Sequence, residues 1–217
     1  MTVSVAVGSL FHFGSALGAS KAMSAITNAA EAVATLEASH GIAVGEYAIV
    51  ATTGWGLLLG RAVRAKTVAT NDVTLEGIDT QSVTKYPAGA GVGTVQEVTT
   101  WTEMTQIATI DTSGGDQNFA DASSMQDVDD REIPTSRTAT RYTFNIHDDA
   151  ALAWYATMRS VAEALLPRPL RITLPDGSKW LANGYFTFNE NPRLSRNETT
   201  KAQVTFSTSA RPIRYAT

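Results

Sequence analysis

The chain has 217 residues, a mass of 23.1 kDa and a formal charge of −4 from 21 acids and 17 bases, so it presents no basic field to hold a phosphate backbone. It contains no cysteine, which excludes disulfides and thiolate metal sites and fits manufacture in a reducing cytoplasm. Only 18% of its residues are charged, against roughly 25% in an average soluble domain, a balance that favours surface covered by neighbouring molecules.

Residues 1–21 read as an N-terminal arm. Met1 to Ser20 lacks the basic start, apolar core and cleavage site of a signal peptide, and no run approaches the roughly 20 apolar residues of a membrane span. Residues 22–85 then alternate short Val/Ile/Thr-rich runs with turn signals, the pattern of a small antiparallel barrel. The expected strands are Met23–Thr27, Ala32–Ala38, Gly45–Thr52, Gly60–Thr67 and Val73–Ile78. Between them lie His40-Gly41, Thr53-Gly54-Trp55-Gly56 and Asn71-Asp72, residues that tolerate left-handed or side-chain-stabilised turns.

Tyr86 to Gly93 is rich in proline and glycine and reads as a linker opening a second unit over residues 86–217. Its glycines do not match a GxGxxG phosphate loop, and the strand, helix and distant acid that would support one are missing. Strands are expected at Thr94–Thr100 and Glu103–Asp111, parted by a turn at Thr100 to Thr102. Asp116 to Glu132 is polar and acidic with little apolar periodicity, as in a mobile or partner-ordered loop.

Thr138–Ile146 places Tyr142, Phe144 and Ile146 on one face, the alternation of a half-buried strand. Asp148 and Asp149 then suggest the N-terminus of a helix near 149–165, with Leu152, Tyr155, Met158, Ala162 and Leu165 as its apolar stripe and Pro167 and Pro169 closing it. Strands return at Leu170–Leu174, Lys179–Asn189 and Lys201–Ala210, the first two joined through the Pro175-Asp176-Gly177 turn. The fold class expected is mainly β, with one flanking helix.

Chemistry-bearing patterns are sparse. His12, His40 and His147 are scattered without HExxH spacing. Ser82 to Lys85 matches SxxK, but the accompanying SDN and KTG elements are absent. The acids of the segment Gln126, Asp127, Asp129, Asp130, Arg131 and Glu132 leave three readings open: a metal or catalytic cluster, a solvated charged loop, or a loop ordered by a partner subunit. The calcium-loop pattern fails, because Arg131 takes a ligand position and Glu132 replaces the required glycine. No cofactor and no catalysis are expected. Trp55 and Trp101 read as core or interface anchors.

In serial order, Trp101 to Ile107, Ser113 to Gly115, Tyr142 to Ile146, Arg171 to Gly177, Asn183 to Tyr185 and Ala210-Arg211-Pro212 make residues 94–217 resemble the major tail tube proteins of long, non-contractile-tailed bacteriophages. Residues 23–80 are similar to a small SH3-like insertion found in some of them. The resemblance implies a β-sandwich or barrel with one helix, hexameric rings stacked into a hollow tube, and an inter-ring role for the loop Ser123–Thr135. It also implies a lumen that conducts DNA without specific binding, tape measure and tail terminator proteins as partners, and assembly in the host bacterial cytoplasm. Six chains at −4 each give −24 per ring, the sign that would keep DNA from adhering. The competing readings are an adhesion or carbohydrate-binding β module centred on the SH3-like unit and a metal-assisted hydrolase using the acidic loop.

Overall fold

A computed structural model describes residues 7–216 apart from 53 and 195. The chain is mainly β. Six strands close a barrel: β2 (Lys21–Ile26), β3 (Val33–Leu36), β6 (Asp72–Leu75), β5 (Arg61–Ala69), β4 (Tyr47–Thr52) and the first part of β7 (Gly93–Met104), which returns to β2. All pairings are antiparallel, and the barrel strands lie where the alternation and turn residues place them. Val50, Trp55, Leu58 and Ile78 are fully buried in its core.

β7 belongs to two structures. Its residues up to Glu97 pair with β4, while Val98 to Met104 pair with β1 (Leu10–Leu17). From β1 the sheet continues through β12 (Arg168–Thr173), β13 (Lys179–Arg193), β14 (Lys201–Thr208), β11 (Arg141–His147) and β8 (Ile107–Ser113), with β15 (Ile213–Tyr215) on the far side of β13. The stretch expected as an arm thus contains β1, an interior strand. Phe13 on β1 is completely buried against Phe186, and Phe11 meets Phe144 edge-on across the curved sheet.

β7 also crosses the turn expected at Thr100 to Thr102 without interruption. The break comes at Thr105-Gln106, where Gln106 adopts φ +61. The Pro/Gly-rich stretch before β7 packs on the barrel and does not span free space: Tyr86 stacks edge-on with Trp55, whose Nε1 donates to the Pro87 carbonyl at 2.8 Å. At Gly93 a Cβ would fall 1.9 Å from the Ala51 carbonyl oxygen, so only glycine lets β7 enter the barrel at this point.

The helix, α1, spans Ala153–Glu163. Asp149 does not cap it: its Oδ1 accepts from the Ala151 N–H at 3.0 Å, a local Asx turn, and Leu152 takes the N-cap position with no side-chain cap. The buried face is Trp154, Tyr155, Met158 and Val161, one residue out of phase with part of the expected stripe, and Leu165 is 73% exposed just beyond the helix. Tyr155 and Trp154 pack on Phe188 of β13, and the Trp154 Nε1 donates to Thr105 Oγ1 at 3.2 Å, fastening the helix to the β7–β8 turn.

Candidate assembly surface

The sheet ends at β8, which pairs only with β11 among the described residues, and at the second half of β7, whose outer side has no partner there. Unpaired edges of this kind invite pairing with another chain. Beyond this edge β8 and β11 run on into a ribbon of β9 (Gln117–Asp121) and β10 (Glu132–Arg137), in which Phe119 faces Pro134 and Ala120 faces Ile133. The joint lies at Gly114, with φ +75 and a Cβ site 2.3 Å from the Ala139 carbonyl oxygen, a place only glycine fits without displacing the opposite strand.

The segment expected as a mobile or partner-ordered loop from Asp116 to Glu132 is therefore paired at its two ends, through β9 and the start of β10 with the Ala122–Arg131 bond beside them, and the residues between form a loop. Every residue of β10 and all but Gln117 of β9 are exposed. A two-stranded ribbon alone is marginal in water, yet this one displays Phe119, Met125, Val128 and Ile133, at 56%, 107%, 99% and 57% exposure. Exposed apolar side chains gathered on a projection of this kind suit a surface that another molecule can cover.

At the tip, Asp127 is spoken for: it accepts from the Ser124 N–H at 2.9 Å and Oγ at 3.0 Å and lies 3.2 Å from the Arg131 guanidinium. The Arg131 N–H donates to Ser123 Oγ, and Ser123 in turn donates its N–H to Asp121, whose carboxyl is held below its ordinary pKa by the Ser123 side-chain and backbone hydrogen bonds. The carboxylates of Asp129, Asp130 and Glu132 have no hydrogen bond or ion pair among the described residues, and Gln126 is exposed. Among the described residues no group of three or more His, Asp or Glu side chains is arranged to hold a metal ion, so these acids do not converge on a common point.

The other singled-out residues serve the fold. His40 accepts from the Ile42 N–H and its Nε2 lies 3.0 Å from the Thr70 carbonyl oxygen; His147 bonds Thr199 Oγ1 at 2.9 Å. His12 sits between Glu103 and Arg171 in the sheet, its pKa lowered by burial and then by the nearby Arg171 charge. Ser82 and Lys85 share a turn through the Lys85 N–H and the Ser82 carbonyl oxygen. Trp55 is wholly buried and offers no face to a sugar, while Trp101 is partly covered under the Arg171 guanidinium, 4.5 Å from its ring.

Residues 53–217 match the family described as phage tail tube protein. The chain belongs to that family. The match takes in the ribbon, the helix, the open-edged sheet apart from β1, and the later part of the barrel. Among solved structures, the tube-terminating cap of the anti-feeding prophage is similar over 49% of this chain and 79% of that chain, at 18% identity and a TM-score of 0.35. A search of curated proteins returns no match.

Sequence reading located the acids of this tail tube protein but missed the apolar residues around them. Their signal is faint: Phe119 and Ile133 are single large apolar residues followed by Ala120 and Pro134, with no sustained alternation around them.

Proposed function

We propose that this tail tube protein is the repeating subunit of the tube wall, that six copies close into a ring through the free edges of β7 and β8, and that rings stack into a conduit for DNA. The observation that carries this is the pair of unpaired sheet edges in one molecule, one at each end of the same sheet. An edge at each end lets each copy join two neighbours with the same two surfaces, the requirement for a closed cyclic ring.

The tip residues Gln126, Asp127, Asp129, Asp130, Arg131 and Glu132 form the contact to the neighbouring ring in this reading, supported by the exposure of the ribbon and the unpartnered carboxylates at its end. The closed barrel built from residues 22–85 and the start of β7 is assigned as an SH3-like insertion, and residues 86–217 as the tube-forming unit. The work is architectural and not enzymatic. Tape measure and tail terminator proteins are the expected partners, and assembly takes place in the host cytoplasm.

Negative-stain imaging of concentrated protein tests the proposal. Stacked rings or tubes are the expected result, and a field of isolated small particles at every concentration contradicts it.

A further inference from the structure

The base of the ribbon carries a concavity opposite in charge to its tip. About 360 Å³ in volume, it lies between the loop after β4, the ribbon's base and the segment after β14, and is lined by Gly56, Leu59, Gly115, Thr140, Arg137 and Arg211 among others. In a chain with more acids than bases, no carboxylate is among the described residues that line it. Among the described residues the Arg137 side chain makes one contact, its Nε donating to Gln117 Oε1 at 3.2 Å, and the Arg211 side chain makes no hydrogen bond or ion pair. Arg61 is half-buried with its Nε unpartnered; burial lowers its pKa most, Tyr86 and Tyr215 act the other way, and the Arg211 charge adds a smaller lowering. The concavity therefore presents two guanidinium groups, Arg137 and Arg211, that form no ion pair among the described residues.

We propose that this concavity receives the acidic ribbon tip of a second copy of the chain, with Arg137 and Arg211 facing Asp129, Asp130 and Glu132. The inference rests on reading the ribbon tip as an assembly contact, and adds its receptor. Charge complementarity selects the partner: the segment from Gln126 to Glu132 carries four acids and one base, and its three free carboxylates meet two arginines with unfilled donors. A molecule cannot satisfy itself. From Asp116 at the base to Ser123 near the tip the paired ribbon extends about 23 Å at about 3.3 Å per residue, which holds the tip away from its own base. Tip and concavity are different surfaces, so the contact is head-to-tail and repeats from copy to copy along the direction of the ribbon.

The test is a charge swap. Asp129→Lys with Asp130→Lys in one variant, and Arg137→Glu with Arg211→Glu in another, alter exposed side chains only, and circular dichroism melts check that each variant folds. Arg137→Gln with Arg211→Gln serves where the reversal does not fold. Each two-residue reversal is expected to raise the protein concentration needed for tube growth at least tenfold, and the chain carrying all four substitutions is expected to return to within about threefold of the unmodified protein. If the arginine reversal grows tubes normally while deletion of residues 126–132 blocks growth, the receptor is elsewhere and the tip reading stands. If both reversals block growth and the four-fold variant fails to recover, the pairing is likewise overturned. If the deletion itself grows tubes normally, the tip is no assembly contact and the inference falls with that reading.

Discussion

The backbone N–H of Arg64, in the barrel, donates a 2.8 Å hydrogen bond to the hydroxyl of Tyr215, in the last strand of the chain. The same arginine holds its guanidinium 4.5 Å above the Tyr215 ring and forks onto Glu76 on its other side. With Leu181 and Ile213, Tyr215 completes the barrel's core from outside it. A second strap lies nearby, where Asn183 Nδ2 donates to the Gly60 carbonyl oxygen at 2.8 Å. Barrel and open sheet therefore share a strand, β7, and a packed seam.

Tyr215→Phe removes the bond to Arg64 and leaves a part-buried N–H without that partner, so it should lower stability by about 1 kcal/mol. Tyr215→Ala also opens a cavity and should cost about 3–5 kcal/mol. Thermal denaturation of both variants measures the two steps, and equal melting temperatures for the parent and the phenylalanine variant would show the seam to be inert.

Burial pushes the Tyr215 hydroxyl far above its ordinary pKa of 10.0. The folded state then keeps a proton that the unfolded chain releases, so this contribution is complete below pH 10 and is lost as pH rises above it. The parent should lose melting temperature above pH 10 more steeply than Tyr215→Phe, which has no proton to lose. Parallel slopes in the two proteins would count against a buried hydroxyl.

His12 works in the opposite direction. Its pKa is lowered, first by burial and then by Arg171, so the unfolded chain takes up a proton before the folded one does. Stability from neutral His12 is present above its ordinary value of 6.5 and declines as pH falls through that value toward the lower folded pKa. His12→Gln should flatten the fall in melting temperature between about pH 7 and pH 5, as followed by scanning calorimetry; an unchanged slope would place the titration elsewhere.

Trp55 is completely buried, with Tyr86 against its ring and Gly91 pressed beneath it. Trp55→Ala should destabilise the protein by about 3–5 kcal/mol. A glycan-binding surface built on this residue would give a different outcome, a loss of sugar binding with little change in urea midpoint.

The barrel was the most legible part of the chain because its strands are short, half-buried and bounded by residues with turn chemistry, such as His40-Gly41 and Asn71-Asp72. β1 was not, since Leu10 to Leu17 is buried on parts of both faces and shows no clean alternation. The helix was legible in kind but not in phase: Asp149 spends its side chain on a local turn, which delays the first helical residue to Ala153 and brings Trp154 and Val161 inward. Most of the ribbon has no buried face, so the hydrophobic periodicity that betrays other strands is weak there. The acids at its tip stand together in sequence and were visible at once. The basic concavity was not, because Arg137 and Arg211 are distant along the chain and meet only where β10 passes beside the segment after β14.

In the proposed ring the free edges of β7 and β8 are completed by sister copies. Native mass spectrometry across a concentration series tests it most directly, because a closed ring of six 23.1 kDa chains weighs about 139 kDa. This species and its multiples are expected to grow as concentration rises. A single 23.1 kDa species at every concentration would contradict it.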